Sequence, residues 1–267
     1  MDFEEKIRKE LEIDLKNTKE KIKEFIKRKT EKAGADGAVI GLSGGIDSTT
    51  ITYLAAEALG EENVLGIFMP EKGVNDERDF EDVKKVVDDL GIDSETIFID
   101  SLVKEFKKKT GAKSEEKLNL ANVKARIRTV LLYYYANSEN YLVIGSNNKS
   151  ELKCGYFTKF GDGASDIVPM YSLYKTQVRK LAEDLGVPKS IIEKPPTAGL
   201  WEGQTDENEL GLSYGKIDKI YKGLELDFEK EKIASAVDLD VSQVERFEKM
   251  EKKTEHKRKG PISLNLD

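Results

Sequence analysis

Short apolar segments alternate with amphipathic ones through the first half of the chain, and this alternation restricts the folds it can adopt. Four segments have the length and composition of buried strands, namely AVIGL, NVLGIFMP, ETIFID and YLVIGS. The stretches between them space their apolar residues as helices do, for example in STTITYLAAEALG and NDERDFEDVKKVVDDLG. Strands that are separated by helices pair in parallel, with helices on both faces of the sheet. The sequence therefore predicts an α/β fold with a doubly wound parallel sheet.

The rest of the chain is predicted to be mostly helical. Residues 3–33 carry apolar side chains at helical spacing and predict one long amphipathic helix. After Ser146 the periodicity stops, and residues 147–174 are expected to form a long irregular loop. A single domain is expected over residues 1–267, completed by C-terminal helices. Helices are expected at residues 115–138, 175–186, about 188–193, 213–222, about 227–236 and 241–256.

Composition disfavours several classes of function. A formal net charge of −7 argues against general nucleic-acid binding, which needs clustered Lys and Arg. The single cysteine, Cys154, has no partner within the chain for a disulfide or a cysteine metal cluster. The charged N-terminus and the short apolar runs predict a cytoplasmic protein without a membrane segment. The excess of Lys and Glu is typical of hyperthermophile proteins, and a codon bias would explain it equally well.

The segment SGGIDS, between the first strand and its helix, is a candidate phosphate-binding loop. Gly44 and Gly45 allow a tight turn that brings N–H groups to a phosphate, while Ser43 and Ser48 add hydroxyl donors. The lysine of the P-loop is missing, and the spacing differs from G-x-G-x-x-G. Asp47 would repel a bare phosphate but could hold Mg²⁺ that bridges to phosphate oxygens. The alternative is a structural turn in which Asp47 or Ser48 caps the helix.

The same hexad resembles the pyrophosphate-binding loop of the N-type ATP pyrophosphatases, which split ATP between its α- and β-phosphates. Four further segments resemble NAD synthetases in order and spacing, at residues 122–128, 155–188, 194–211 and 253–262. Without a recognisable amidase part, the resemblance is to the short, ammonia-dependent form. It implies that ATP adenylates the nicotinate carboxyl of deamido-NAD, with release of pyrophosphate. Ammonia then attacks the acyl-adenylate to give NAD and AMP, the last step of NAD biosynthesis.

The resemblance also implies roles for individual residues and a homodimer with a shared active site. Asp47 and Glu151 are expected to hold Mg²⁺, and Asp47, Lys159 and Lys175 to take part in catalysis. The residues expected to bind ATP are Gly41, Leu42, Ser43, Gly44, Gly45, Ile46, Asp47, Ser48, Ser146, Lys175 and Thr197. The residues expected to bind deamido-NAD are Arg126, Lys159, Asp166, His256 and Lys257.

Some positions depart from the family or have a simpler explanation. GSNNKSE stands where the family often has G-T-D-H-x-x-E, so Ser146 keeps the hydroxyl and no role rests on a histidine there. His256 could be a solvated tail residue, and Glu151 an exposed loop carboxylate. The composition and length of residues 71–79 and 194–206 predict that both segments become ordered when ligands bind.

Two other functions remain open at this point. One is a different ATP pyrophosphatase, such as a tRNA thiolation enzyme, which the single cysteine and the acidic charge disfavour. The other is a non-catalytic nucleotide-binding module, which the presence of both Asp47 and Glu151 disfavours.

Overall fold

The computed structural model describes residues 3–264, and its centre is a four-stranded parallel sheet. The strands are β1 (Gly37–Leu42), β2 (Val64–Phe68), β3 (Asp93–Thr96) and β4 (Tyr141–Ile144), in the spatial order β3-β2-β1-β4. The chain proceeds from β1 to β2 and β3, then crosses back to place β4 on the other side of β1. The strand order therefore reverses between β1 and β4, where open parallel sheets bind ligands. The predicted α/β fold with a parallel sheet is confirmed.

Thirteen α-helices lie in the described part of the chain. They are α1 (Phe3–Glu10), α2 (Leu15–Ala33), α3 (Ile46–Leu59), α4 (Glu77–Leu90), α5 (Asp100–Thr110), α6 (Lys117–Glu139), α7 (Lys149–Cys154), α8 (Lys175–Asp184), α9 (Lys189–Ile192), α10 (Asp206–Leu210), α11 (Tyr214–Glu225), α12 (Lys230–Ala236) and α13 (Val241–Lys253). Short 3₁₀ turns lie at Glu61–Asn63 and Glu255–Lys257. Within residues 3–264, no helix combines the length and the apolar character needed to cross a bilayer.

Helices cover both faces of the sheet because successive side chains of β1 point in opposite directions. Ala38 and Ile40 pack in one core cluster with residues of α2, α3 and α8. Val39 belongs to a second cluster, with residues of α5 and α6 on the opposite face. All three side chains are fully buried. β1 is thus the buried centre of the sheet, and the loop that follows it starts from a rigid support.

The C-terminal helices form a further core cluster that contains no strand residue. It includes Ile217 and Tyr221 of α11, Ile233 of α12 and Phe247 of α13. The rings of Tyr221 and Phe247 pack edge to face, with centroids 5.9 Å apart. Ile7 of α1 belongs to the same cluster, so the first helix of the chain packs against the last ones.

The single helix predicted for residues 3–33 is wrong, because the segment forms two helices, α1 and α2. Asp14 caps α2 by accepting a hydrogen bond from the N–H of Asn17 at 3.0 Å. The break lets Leu11 pack in the C-terminal cluster, whereas Ile22 of α2 packs against the sheet. The apolar spacing did not reveal that the two halves of the segment belong to different cores.

The third strand lies earlier than predicted. ETIFID was expected to form it, but β3 spans Asp93–Thr96 and α5 begins at Asp100. β3 is an edge strand that pairs only with β2, and its four side chains are exposed, so it needs no apolar residues. The apolar Ile97 and Ile99 follow the strand and pack in the core on the α5 and α6 side.

Two short helices were not predicted. α7 lies within residues 147–174, which were expected to be irregular, and α10 lies within residues 194–211. Caps define both helices: Asn148 and Glu151 form a capping box at the start of α7, and Thr205 caps α10. The other helices predicted after residue 114 correspond to α6, α8, α9, α11, α12 and α13.

Candidate active site

The segment SGGIDS forms a tight turn between β1 and α3. Gly44 has a φ of +70°, and a Cβ at this position would lie 3.2 Å from the carbonyl oxygen of Asp79 on α4. The Ser48 hydroxyl donates to the carbonyl of Gly45 at 3.0 Å and lies 2.9 Å from the hydroxyl oxygen of Ser43. Ser48 therefore fixes the turn from inside, while Gly44 permits a close approach to α4.

A cavity of about 580 Å³ lies beside this turn, at the carboxyl ends of β1 and β4. Its walls also include residues of α6, α7 and α8 and of the segment 194–206. The predicted site residues that line it are Gly41, Leu42, Ser43, Gly45, Ile46, Asp47, Ser48, Ser146, Glu151, Lys175, Thr197 and Lys257. Gly44 lies in the same turn without lining the cavity. The fold thus brings together the residues that the sequence assigned to the ATP phosphates and to the metal.

Four residues expected to bind deamido-NAD do not line the cavity, namely Arg126, Lys159, Asp166 and His256. Arg126 is exposed and donates to the carbonyl of Lys159 at 3.1 Å. The ammonium of Lys159 donates in turn to the carbonyl of His256 at 2.6 Å. Asp166 accepts from the hydroxyl of Tyr133 at 3.2 Å and from a backbone N–H of β4 at 2.8 Å. The roles of these four residues toward the substrate stay predictions.

The ammonium of Lys175 lies at the centre of the site. Lys175 is the first residue of α8, and it is only 4% exposed. Its Nζ forms an ion pair with Asp47 and a longer one, at 3.5 Å, with Glu151. The side-chain amide of Asn148 donates to the other carboxylate oxygen of Asp47 at 2.9 Å. These contacts connect the glycine loop to the N-termini of α7 and α8.

Burial and neighbouring charge shift the pKa values of this cluster. Burial, together with the charge of Asp47, raises the pKa of Glu151 to about 8. Burial opposes the charge on Lys175, but Asp47 and Glu151 outweigh it and raise the pKa of Lys175 above its usual range. The ammonium therefore stays charged, while one of its carboxylate partners retains affinity for a proton. The cluster has more acidic groups than one cation balances.

Asp47 and Glu151 fit a Mg²⁺ site by their placement and chemistry. Both contact the same Nζ atom, so their oxygens converge on one point. In residues 3–264, no group of three or more His, Cys, Asp or Glu side chains is arranged to hold a metal. Mg²⁺ in nucleotide enzymes uses one or two carboxylates, with phosphate oxygens and water as its other ligands. The pair therefore suits a cation whose ligand set is completed by the substrate.

Asp206 is a cavity residue that the sequence did not reveal. It is 4% exposed, begins α10 and accepts a hydrogen bond from the hydroxyl of Tyr214 at 3.1 Å. Its other carboxylate oxygen has no hydrogen-bond partner among the described residues. Burial raises the pKa of Asp206. The available signal was an acidic residue directly after Thr205, a typical N-cap, and it was too weak to mark a site.

Lys194 is a second cavity residue that the sequence did not reveal. Its Nζ lies 3.3 Å from the carbonyl oxygen of Gly44 in the glycine loop. The same Nζ contacts two carboxylates of α4, Asp79 at 2.5 Å and Asp82 at 2.9 Å. The family resemblance of KPPTAG indicated Thr197 as an ATP contact and gave Lys194 no role.

Lys124 of α6 connects the two segments that were expected to respond to ligands, residues 71–79 and 194–206. Its Nζ pairs with Glu71 at 2.6 Å and donates to the carbonyl of Leu200 at 2.8 Å. The side chains of Lys124 and Glu71 are mostly buried. Both segments contribute to the lining of the cavity, so they are joined beside it. Their ordering by ligands stays a prediction.

Comparisons with known proteins identify the family of this chain. The family model described as NAD synthase matches residues 18–261. A relative from Thermococcus kodakarensis, named NH(3)-dependent NAD(+) synthetase, is 48% identical over 251 residues, which cover 94% of this chain and 97% of the relative. The structure of NMN synthetase from Francisella tularensis is similar, with a TM-score of 0.84 and 34% identity over 96% of this chain and 100% of that chain. The structure of NH3-dependent NAD synthetase from Campylobacter jejuni, in complex with the nitrate ion, is also similar. Its TM-score is 0.81, and its sequence is 34% identical over 95% of this chain and 100% of that chain. The chain belongs to the NAD synthase family.

Proposed function

We propose that this chain forms NAD from deamido-NAD, ATP and ammonia, with release of AMP and pyrophosphate. As a member of the NAD synthase family it is a ligase that forms C–N bonds. The observation that supports the proposal most is the arrangement of Asp47, Glu151 and Lys175 beside the glycine loop in one cavity. Buried charges that converge beside a phosphate-binding turn suit chemistry at a nucleotide phosphate.

In the first step, an oxygen of the nicotinate carboxylate attacks the α-phosphorus of ATP. The bond from this phosphorus to the bridging oxygen breaks, and pyrophosphate leaves with the bonding electrons. The N–H groups of the glycine loop and the start of α3 hold the phosphates. Lys175 supplies buried positive charge that offsets the charge developing at the α-phosphate. Asp47 and Glu151 would hold Mg²⁺, which when bound offsets negative charge on the phosphate oxygens.

In the second step, ammonia attacks the acyl carbon of the adenylate. The bond from this carbon to the phosphate oxygen breaks, AMP leaves with the bonding electrons, and the nitrogen loses one proton to solvent. The substrate's own carboxylate is the first nucleophile, so no covalent bond to the protein is required. The protein contributes by holding the two substrates in line and by limiting the access of water to the acyl-adenylate. Access of water is limited by the two segments that Lys124 joins beside the cavity, residues 71–79 and 194–206.

We also propose a homodimer that uses the exposed face of α6. Val130 and Tyr134 are 69% and 65% exposed, and Arg126 lies one turn earlier on the same face. Phe160, next to Lys159, is exposed as well. Arg126 and Lys159 lie beside this apolar surface but do not line the cavity of their own chain. If a second copy of the chain packs on this surface, Arg126 and Lys159 of the first copy would lie near the dinucleotide site of the second.

The proposal is tested by incubating the chain with ATP, Mg²⁺, ammonium and deamido-NAD and measuring NAD and AMP. A parallel reaction offers nicotinate mononucleotide instead, because one similar structure is that of an NMN synthetase. We expect equal amounts of NAD and AMP, and a higher kcat/KM for the dinucleotide. A chain that forms no NAD would refute the proposal, and a higher kcat/KM for the mononucleotide would move the assignment to that substrate. The variant Asp47→Asn is the control for background turnover.

A further inference from the structure

We infer that Lys194 binds the β- and γ-phosphates of ATP and stabilises pyrophosphate as it leaves. The inference rests on the proposed function and adds a residue to it that neither the sequence motifs nor the family resemblance indicated. SGGIDS has no lysine of its own, so phosphate bound at this turn would need a cation from another part of the chain.

Lys194 reaches the glycine loop from a distant part of the chain. Its Nζ lies 3.3 Å from the carbonyl oxygen of Gly44, 150 residues away in sequence. A Cβ at Gly44 would lie 3.5 Å from the same Nζ. In a P-loop the lysine follows the second glycine, whereas this chain has Ile46 after Gly45. The fold therefore places an ammonium against the turn that the local sequence leaves without one.

The surroundings of Lys194 hold it charged and within reach of a ligand. Burial opposes its charge, but Asp79 and Asp82 raise the pKa of Lys194 above its usual value. The side chain is 20% exposed and lines the cavity. Pyrophosphate that enters the turn would replace one carboxylate as a partner of the ammonium. Without Lys194, the same two carboxylates would repel the phosphates.

Three other lysines that the family resemblance indicated have different positions. Lys159 and Lys257 donate to backbone carbonyls, at distances from 2.6 to 2.8 Å. Lys175 lies between the two carboxylates of the proposed metal site. Lys194 contacts the glycine loop itself. We therefore assign the α-phosphate to Lys175 and the leaving pyrophosphate to Lys194.

Pyrophosphate is the probe that tests this assignment. Its binding in the presence of Mg²⁺, and without deamido-NAD, is measured by titration calorimetry for the wild type and for Lys194→Met. Loss of a charge-assisted contact predicts binding that is about 10- to 100-fold weaker. KM for ATP should rise by a similar factor, while KM for deamido-NAD stays close to its wild-type value. Pyrophosphate binding to Lys194→Met within about twofold of the wild type would overturn the inference.

A second variant separates direct binding from a structural role. If Lys194 only connects its segment to α4, Asp82→Asn weakens the same connection and should also weaken pyrophosphate binding. If Lys194 binds pyrophosphate, Asp82→Asn keeps the ammonium and leaves the binding unchanged or tighter. Equal losses in Lys194→Met and Asp82→Asn would therefore contradict the inference. Lys189→Met removes an exposed lysine nearby as the matched control, and thermal unfolding confirms that each variant is folded.

The binding measurement does not depend on the proposed reaction. A wild-type chain that makes no NAD, but loses pyrophosphate binding in Lys194→Met, would refute the proposed function and support the assignment of Lys194. A chain that makes NAD, with pyrophosphate binding unchanged in Lys194→Met, would support the proposed function and refute the assignment.

Discussion

At the scale of single residues, the site depends on one buried ammonium among several acids. Lys175 contacts Asp47 and Glu151, and the charge of Asp206 contributes to the raised pKa of both Lys175 and Glu151. A buried ion pair adds little net stability compared with apolar packing, yet removal of one partner leaves an uncompensated charge. The cluster is therefore better explained by its chemistry than by its contribution to stability.

Replacing Lys175 with Met should impair both catalysis and stability. We expect kcat to fall about 10²- to 10³-fold, as for the loss of one group that stabilises charge in the transition state. The free energy of unfolding should fall by about 3 kcal/mol, because the mostly buried carboxylate of Asp47 then lacks its cation. Steady-state kinetics and urea unfolding measure the two effects. Lys180→Met, at an exposed position of the same helix, is the control, and kcat near the wild-type value in Lys175→Met would contradict the role.

Mg²⁺ binding should strengthen as the pH rises through about 8. Without metal, burial and the charge of Asp47 raise the pKa of Glu151 to about 8, so this carboxyl is mostly protonated at pH 7. A carboxyl group must lose its proton to bind a metal, so Mg²⁺ competes with that proton below pH 8 and is free of this competition above it. Titration calorimetry with a non-hydrolysable ATP analogue, between pH 6.5 and 9, measures the affinity. Glu151→Gln should lose this pH dependence, and a pH-independent affinity in the wild type would refute Glu151 as a ligand.

The placement of the glycine-loop residues beside the cavity could be predicted, because it depends on the local backbone. SGGIDS contains its own glycines, hydroxyls and carboxylate within six positions. Lys194 and Asp206 could not be predicted. Lys194 reaches the glycine loop from 150 residues away, and Asp206 lies on a five-residue helix that shows no helical period in the sequence. Only the family resemblance indicated Arg126 and Lys159 as deamido-NAD contacts. Within a single chain, their side chains do not line the cavity.

At the scale of elements, the geometry of the site is fixed by a buried carboxylate on α11. Asp218 is fully buried and accepts hydrogen bonds from the Ser150 hydroxyl of α7 and from the N–H of Thr176 in α8 at 2.9 Å. The Ser150 hydroxyl oxygen accepts in turn from the N–H of Lys175 at 2.8 Å. Asp218 and Ser150 therefore hold together α7 and α8, the helices that carry Glu151 and Lys175.

Asp218 should reduce the stability of the fold as the pH rises from about 4 to about 6. Burial raises the pKa of Asp218 from 3.8 to about 6, so the folded state binds the proton more tightly than the unfolded chain. Its stabilising contribution is complete below about pH 4 and is lost as the pH rises through 6. The variant Asp218→Asn lacks this titrating group. Its free energy of unfolding should therefore increase relative to that of the wild type as the pH rises from about 4 to about 6. Urea unfolding at several pH values measures the difference in free energy of unfolding between the variant and the wild type. For the exposed control Asp88→Asn, this difference should stay constant with pH.

Elements with a clear period could be predicted, and the others depended on tertiary contacts. β1 and α3 follow from local patterns, and the structure has them where the sequence indicated. α7 and α10 have only six and five residues, too few to show a helical period, and their caps define them instead. β3 is stabilised by pairing with β2 rather than by burial of its side chains, so apolar content placed it wrongly.

At the scale of the whole molecule, the proposed dimer makes a specific prediction. Val130→Glu places a charge on the exposed face of α6 and should yield monomers in size-exclusion chromatography with light scattering. KM for deamido-NAD should rise, because Arg126 and Lys159 would no longer reach a partner's site, while pyrophosphate binding should persist. Leu102→Glu alters an exposed apolar residue of α5 and should leave the dimer intact. A monomeric wild type, or a dimeric Val130→Glu with normal kinetics, would refute this interface.

The pairing of Lys175 with Asp47 joins residues 128 positions apart, and Lys194 lies 150 positions beyond Gly44. Glu4 of the first helix pairs with Lys219, 215 positions later. Contacts of such long range slow folding, and a chain on the ribosome emerges from its N-terminus. In a nascent chain, β1 and the glycine loop are therefore synthesised long before Lys175, which pairs with Asp47, and Lys194, which contacts Gly44. Competence to hold a nucleotide therefore arises late in translation, only after Lys175 and Lys194 have been synthesised.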